Sequence, residues 1–240
     1  MKTPTLADTA AAIVSLVVLT GAAWIAAYGP ATPIPLHFDA AGQADRYGSR
    51  YELAAILAGL ALLNLLAAWM IGRQAESVAE PMRRKGLRRG QWLSIIVVGA
   101  VSAFIVWSSL GPEAANGASQ PGAAMAFLAF ILLITGATLG RVSPNPFVGV
   151  KTPWAYKSRL AWDRSNRLAG RLMFWLGALG LIASPFVAQP AGLITLIVGL
   201  ETLTLPLYVL VGLRRFTPGS PAATAGSAAS VTFLLGSVIS

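Results

Sequence analysis

Residues 144–170 read PNPFVGVKTPWAYKSRLAWDRSNRLAG and connect two long apolar segments. Three prolines and Gly149 lie within the first ten residues, so this part cannot form one continuous helix. From Ser158 the stretch holds no proline or glycine until Gly170, and serine is a favoured N-cap residue of helices. The sequence therefore predicts an irregular loop, followed by a helix that continues into the second apolar segment.

The composition around this stretch is that of an integral membrane protein. Hydrophobic residues make up 55% of the 240 residues, charged residues make up 11%, and the mean hydropathy is +0.66. Soluble domains carry about 25% charged residues. The absence of cysteine excludes disulfides, thiol catalysis and cysteine metal sites. The net charge of +9 fits membrane topology and contact with anionic lipid, so we expect no direct binding of nucleic acid.

Six apolar segments are long enough to cross a bilayer. They cover approximately residues 7–28, 53–71, 92–110, 122–140, 168–188 and 192–213. The first is longer than the apolar region of a signal peptide, so we expect it to remain as an uncleaved span. The predicted fold class is an all-α, polytopic membrane protein with about six transmembrane helices.

The positively charged residues predict the orientation of these spans. If the N-terminus is cytoplasmic, every Lys and Arg except Arg46 and Arg50 lies on the cytoplasmic side, most of them in the connections 72–90 and 141–171. Such a bias places both termini in the cytoplasm. The predicted parts are a first helical hairpin (1–71) with an outward loop (29–52), a four-helix region (72–213) with a cytoplasmic loop (141–170), and a flexible tail (214–240).

Two polar residues lie near the middle of predicted spans, Asn64 in the second and Glu201 in the sixth. An ionised carboxylate at that depth costs about 2.5–3.5 kcal/mol, and such residues usually face the interior of a helix bundle. Asn64 is a candidate hydrogen-bond partner of Glu201. The pair belongs either to a polar functional site or to a structural contact between helices.

The predicted outward loop contains the single histidine of the chain. Alternation of apolar and polar residues around His37 predicts a short strand, followed by a turn at Ala41–Gly42. His37, Asp39 and Asp45 are a candidate set of ligands for a divalent metal. Because no fourth ligand is visible, we instead expect Asp45 to cap a turn and to pair with Arg46 or Arg50, and we expect no metal or cofactor.

Two stretches resemble a known family. Residues 144–170 look like the signature of the SdpI-type membrane immunity proteins, and residues 34–50 look like the short uncharacterised domain that often precedes it. The matching residues are Pro144, Asn145, Phe147, Gly149, Lys151, Thr152, Pro153, Trp154, Trp162 and Gly170, and Ile34, Pro35, His37, Phe38, Gly42, Asp45, Gly48 and Ser49. The chain departs from the pattern at Asn166, where the family usually has His.

The resemblance implies a receptor in the bacterial cytoplasmic membrane that protects the cell against a secreted, membrane-active toxic peptide. It further implies that the cytoplasmic face holds a transcriptional repressor at the membrane. No catalytic signature is recognisable, so the chain is not expected to be an enzyme. The alternatives are a small-solute or proton-coupled transporter that uses Glu201 and Asn64, and a membrane enzyme that uses His37, Asp39 and Asp45.

The candidate ligand- and partner-binding residues follow from the chemistry of the residues and from the family resemblance. They are Asn145, Phe147, Gly149, Lys151, Thr152, Trp154, Trp162, Asn166, Arg164 and Arg167 in the central stretch, Asn64 and Glu201 in the spans, and His37 and Asp45 in the outward loop. Two structural roles compete with binding. The tryptophans suit the aromatic belt of the membrane interface, and the arginines suit positive-inside anchoring.

Overall fold

The computed structural model describes residues 4–39, 43–112, 114, 121–151 and 158–186, all of which belong to one compact unit, Met1–Glu201. The described part contains five helices and one two-stranded antiparallel sheet. In chain order these are α1 (Leu6–Tyr28), β1 (Ile34–Phe38), β2 (Ala44–Gly48), α2 (Arg50–Ser77), α3 (Pro81–Leu110), α4 (Pro121–Leu139) and α5 (Arg159–Ala183).

Four of these helices are long and apolar enough to cross a membrane, which confirms the prediction of an all-α, polytopic membrane protein. They are α1, α2, α3 and residues Gly122–Leu139 of α4. Between 22% and 39% of the residues in their most apolar windows are buried, and large apolar side chains such as Leu16, Leu62 and Ile96 are exposed. The sixth predicted span and the predicted tail lie outside the described residues.

The connection between α2 and α3 is much shorter than the basic connection 72–90 that the sequence suggested. Helix α2 continues to Ser77 and α3 begins at Pro81. Proline is favoured in the first turn of a helix, and Lys and Arg are good helix formers, so the basic residues continue the helix. With 30 residues, α3 is about 45 Å long and extends beyond a hydrocarbon core of about 30 Å.

Helices α4 and α5 pack at unusually short range because glycines line their contact. A Cβ atom on Gly136 would lie 2.6 Å from the Gly170 carbonyl oxygen, and a Cβ atom on Gly177 would lie 2.5 Å from the Ala129 carbonyl oxygen. Small residues at such positions let the backbones of transmembrane helices touch.

The β-hairpin, formed by β1 and β2, lies at one end of the helices. Ile34 of β1 is buried together with Ile25 of α1 and Leu53 of α2. The loop of residues 142–151, hereafter the signature loop, packs instead near the C-terminal end of α2, beside Ile71 and Ala75. Leu53 and Ala75 are separated by about 33 Å along α2, so the β-hairpin and the signature loop lie at opposite ends.

Candidate functional site

The signature loop is organised around the side chain of Asn145, which is 2% exposed. Its Oδ1 atom accepts hydrogen bonds from the backbone N–H groups of Phe147 (2.9 Å) and Val148 (2.7 Å). Its Nδ2 atom donates to the carbonyl oxygens of Ser143 and Val148, both at 2.9 Å. Asn145 therefore satisfies backbone groups that have no helix or sheet partner, which allows an irregular loop to be buried.

The Ser158 hydroxyl accepts a hydrogen bond from a backbone N–H of the first turn of α5, which confirms the prediction of Ser158 as N-cap. Further along the helix, two buried side chains of α5 bind the loop. Asn166 Oδ1 accepts from the Val150 N–H at 2.8 Å, and Trp162 Nε1 donates to the Val142 carbonyl oxygen at 2.7 Å. Both side chains are 0% exposed. The two ends of the signature loop are thus held by residues one helical turn apart.

Gly149 is required by the same arrangement. Its φ of 135° is a backbone conformation that residues with a side chain rarely adopt. A Cβ atom at this position would also lie 2.5 Å from two ring carbons of Trp162. The glycine and the tryptophan of the signature therefore depend on each other sterically.

Helices α2 and α3 form the other wall around the loop. Phe147 packs on a cluster that contains Ile71 and Leu87, and Gln74 Nε2 donates to the Pro144 carbonyl oxygen at 3.3 Å. A Cβ atom on Gly86 would lie 2.9 Å from the backbone nitrogen of Ser143. The signature loop is thus enclosed by three helices.

Beneath the loop lies an apolar cavity of about 410 Å³ that is lined by residues of α2, α3, α4 and α5. Phe147–Val150 of the loop border it, and Val97, Leu139 and Met173 line it from three helices. Its polar lining residues include Ser94 and Thr135. The signature loop therefore borders a partly open space whose apolar lining suits an apolar group.

The predicted basic residues lie on the exterior at this end. Arg164 and Arg167 of α5 and Lys151 of the loop are exposed. The Lys151 ammonium donates to the Pro146 carbonyl oxygen, and Arg167 Nε donates to the Asp163 carbonyl oxygen at 3.4 Å. Within the described residues, none of the three forms an ion pair with a carboxylate.

The β-hairpin confirms the predicted strand around His37, whereas the turn at Ala41–Gly42 lies outside the described residues. The prediction that Asp45 pairs with Arg46 or Arg50 is wrong, because Asp45 Oδ1 lies 2.6 Å from His37 Nδ1. The strand register shifts beside His37, so that His37 faces Arg46 and Asp45 has no opposite residue in the ladder. This irregularity lets the Asp45 side chain reach His37.

The remaining charged residues of the β-hairpin have other partners. Arg46 pairs with Glu52, and Arg50 donates to the Gly29 carbonyl oxygen at 3.0 Å. Asp39 accepts from the Gln43 N–H at 2.9 Å. Across the described ranges, no group of three or more His, Cys, Asp or Glu side chains is arranged to hold a metal ion.

Asn64 joins α2 to α1 inside the bundle. Its Nδ2 atom donates to Ser15 Oγ at 2.9 Å and to the Ala11 carbonyl oxygen at 3.3 Å. Its Oδ1 atom is buried without a hydrogen-bond partner among the described residues. Glu201, like Thr152 and Trp154, lies outside those residues, so the suggested contact between Glu201 and Asn64 stays a prediction.

A polar cluster that the sequence did not reveal joins the first three helices at the signature-loop end. Asp8 Oδ1 accepts from Gln91 Nε2 at 2.7 Å and from Arg88 Nη1 at 3.3 Å. Gln91, which is 0% exposed, also donates to the Ala68 carbonyl oxygen of α2, and Arg88 lies 3.7 Å from Glu76. A single acidic residue in the first turn of an apolar helix is the signal that could have pointed to it.

Comparisons with known proteins found matches to two parts of the chain and one partial relative. Residues 141–213 match the SdpI/YfhL protein family, and residues 15–62 match a domain of unknown function, DUF1648. A segment of 118 residues is 40% identical to NADH-quinone oxidoreductase subunit N of Salinispora tropica, and it covers 49% of this chain but only 18% of that relative. No solved structure matches the chain.

The two family matches contain the two stretches that the sequence singled out, in the expected order. The low coverage of the oxidoreductase subunit means that its activity is not carried over to this chain. The chain is a multi-pass protein of the bacterial cytoplasmic membrane, and its residues 141–213 are similar to the SdpI/YfhL protein family of membrane immunity-type proteins.

Proposed function

We propose that this protein protects its cell against a secreted, membrane-active toxic peptide and reports the peptide to the cytoplasm. The observation that carries the proposal is that α2 and α3 contact both candidate regions. At one end they pack with the β-hairpin through Leu53 and Leu110, and at the other they enclose the signature loop through Ile71 and Leu87. The same two helices thus link an outward-facing element to a cytoplasmic one, in the orientation that the basic residues predict.

The β-hairpin end has the chemistry to receive an amphipathic peptide. Tyr47 and Tyr51 are 51% and 61% exposed, and the His37–Asp45 pair is exposed beside them. An apolar groove of about 760 Å³ between α1 and α3 reaches this end at Gly111. The groove suits the apolar face of the peptide, while the β-hairpin offers hydrogen-bonding groups to its polar face.

The signature-loop end has the chemistry to receive an acidic surface of a cytoplasmic repressor. Arg164 and Arg167 are exposed on one face of α5, Lys151 lies on the adjacent loop, and no carboxylate within the described residues neutralises them. An exposed basic surface of this kind favours recruitment of a negatively charged partner.

The first experiment measures survival of a peptide-sensitive bacterium that expresses this chain and is challenged with a panel of membrane-active bacterial toxins. The test variant is His37→Ala/Asp45→Ala. The matched control is Glu80→Ala/Arg159→Ala, which removes another exposed pair, 3.1 Å apart, at the opposite end. With membrane levels equal, we expect protection by the wild type and the control and loss in the test variant. Absence of protection against every toxin would refute the immunity function.

The second experiment tests recruitment. In an Arg164→Glu/Arg167→Glu variant, we expect a tagged cytoplasmic repressor to move from the membrane fraction to the soluble fraction, while protection against the toxin remains. If the repressor stayed at the membrane and the variant inserted normally, the assignment of these arginines to the partner would be wrong.

A proton-coupled or small-solute transporter is the second candidate function. The observation that favours it is the buried Oδ1 atom of Asn64, which lacks a donor within the described residues and would suit a protonated Glu201. Uptake of a solute into proteoliposomes that is lost in Glu201→Gln would support the transporter. Unchanged uptake would remove Glu201 from it.

A further inference from the structure

The exposed face of α5 changes character along its length. Successive exposed residues at helical spacing are Arg164, Arg167, Arg171, Trp175, Leu179 and Ile182. Trp175, Leu179 and Ile182 are 64%, 63% and 69% exposed. A face that passes from arginine through tryptophan to aliphatic residues matches the passage from lipid headgroups to hydrocarbon, with Trp175 at the interface.

A groove of about 440 Å³ opens beside this face, between α4 and α5. Three arginines line the part of the groove nearest the signature-loop end, namely Arg141 just after α4 and Arg167 and Arg171 on α5. Phe174 and Trp175 line the part farther along α5. Gly136, Ala137 and Gly140 form the α4 side. Because a Cβ atom on Gly140 would lie 2.9 Å from Arg167 Cγ, the glycine allows the stem of Arg167 to lie against α4.

The positive charge in the groove is not neutralised by the described part of the chain. The Arg141, Arg167 and Arg171 side chains form no ion pair there, in contrast to Arg88 and Arg159, which lie 3.3 Å and 3.1 Å from carboxylates. Three guanidinium groups around one groove repel one another unless an anion lies between them. Guanidinium groups bind phosphate oxygens through paired, charge-assisted hydrogen bonds.

We propose that this groove binds an anionic phospholipid of the adjacent leaflet. Its phosphate lies among Arg141, Arg167 and Arg171, and an acyl chain runs along Phe174 and Trp175 toward Leu179. Basic pockets between transmembrane helices are suited to anionic headgroups. A lipid fits better than an acidic protein, because the arginine-lined part continues directly into an aromatic part that a soluble protein surface would not reach. This inference does not depend on the proposed immunity function.

The test uses the full chain reconstituted into nanodiscs of phosphatidylcholine, with or without phosphatidylglycerol, followed by native mass spectrometry of the lipids that stay bound. The test variant is Arg141→Gln/Arg171→Gln, which removes two of the three arginines of the groove and keeps both Arg164 and Arg167, the residues that the recruitment experiment changes. The matched control is Lys85→Gln/Arg89→Gln, since both residues are exposed near the same end of the bundle and the same charge is removed. Thermal unfolding midpoints verify that each variant is folded.

We expect the wild type and the control to retain phosphatidylglycerol in preference to phosphatidylcholine, and the test variant to lose this preference by about tenfold or more. If the glutamine variant does not fold, Arg141→Lys/Arg171→Lys replaces it and is expected to keep the charge but to weaken retention, because lysine lacks the bidentate fork.

Four results would overturn the proposal. Equal retention of both lipids by the wild type means that the groove is not selective for anionic lipid. An equal loss in the control means that overall charge is responsible. Displacement of bound phosphatidylglycerol by inorganic phosphate alone assigns the groove to free phosphate. Loss of repressor recruitment in the test variant, with lipid preference intact, assigns the groove to the protein partner.

Discussion

The β-hairpin and the signature loop differ in how exposed their side chains are. The element with strands is the more exposed of the two, and the irregular loop is the more buried. The β-hairpin consists of two paired strands whose register shifts beside His37, yet its polar contacts are exposed, with the His37 and Asp45 side chains at 64% and 47% exposure. The signature loop has no regular structure, yet Val142, Ser143 and Asn145 are 3%, 6% and 2% exposed. The order of the signature loop therefore depends on buried contacts between side chains and backbone, and the element with paired strands is the more accessible of the two.

The energies expected for the two regions differ in the same sense. An exposed ion pair contributes about 0–1 kcal/mol, so the β-hairpin pairs can be changed with little effect on stability. A buried polar group that loses its partner costs about 1–3 kcal/mol, and Asn145 serves four such groups. The signature loop is thus suited to hold a shape, whereas the β-hairpin is suited to contact a ligand.

The largest expected effect is that of Gly149→Ala. The added Cβ meets the Trp162 ring and requires a backbone conformation that alanine avoids, so we expect a loss of about 2–5 kcal/mol in the free energy of unfolding. Thermal unfolding of the purified protein in detergent measures it. Gly59→Ala is the control, since nothing lies within 4 Å of its Cβ position and it should be neutral or slightly stabilising. Equal behaviour of both variants would contradict the steric match.

Asn145→Ala should have the next largest effect. The Phe147 and Val148 N–H groups would lose their buried acceptor, which costs about 2–4 kcal/mol in total. The loop would then open before the helices unfold, so limited proteolysis should cut near residues 143–151 in the variant and not in the wild type. Unchanged protection from protease would show that the loop does not depend on Asn145.

Asn166→His introduces the residue that the resemblance implies at this position and tests the contact between α5 and the loop. The larger ring should cost about 1–2 kcal/mol, and as a neutral group it can still accept from the Val150 N–H. Protonation below its ordinary pKa of about 6.5 would replace the acceptor by a donor, so stability should fall as the pH is lowered through that range. Unfolding midpoints at pH 8 and pH 5 check this against the wild type, in which residue 166 does not titrate.

The smallest change in stability is expected for His37→Ala. The pair with Asp45 is exposed, so its removal should change the free energy of unfolding by less than about 1 kcal/mol. Protection against the toxin should nevertheless decrease if the β-hairpin contacts the peptide. A large drop in the unfolding midpoint, beyond that of Asn145→Ala, would reverse the comparison between the two regions.

Much of the fold could be predicted from the sequence because it follows from local patterns. Hydropathy over about 20 residues located α1 to α4, alternation around His37 predicted β1, and Ser158 predicted the start of α5. The helical state of residues 81–90 was missed because charge was interpreted as a loop signal, although Lys and Arg favour helices.

The contacts of the candidate site could not be predicted in the same way. The sequence grouped Asn145, Gly149, Trp162 and Asn166, but the bond from Asn166 to Val150 depends on how α5 packs against the loop. The wrong partner for Asp45 has a similar origin, since a shift in strand register cannot be deduced from alternation alone.

The contact of Asp8 with Arg88 and Gln91 has a consequence for the order in which this protein is made. The partners lie 80 and 83 residues after Asp8 in the chain. At about 5–20 residues per second, the ribosome adds them roughly 4–16 s after it has added Asp8. During this interval the carboxylate is held by its own helix start, where it accepts from the Thr5 N–H and hydroxyl. The first helix can therefore enter the membrane early, but it reaches its final position only when the third has been synthesised.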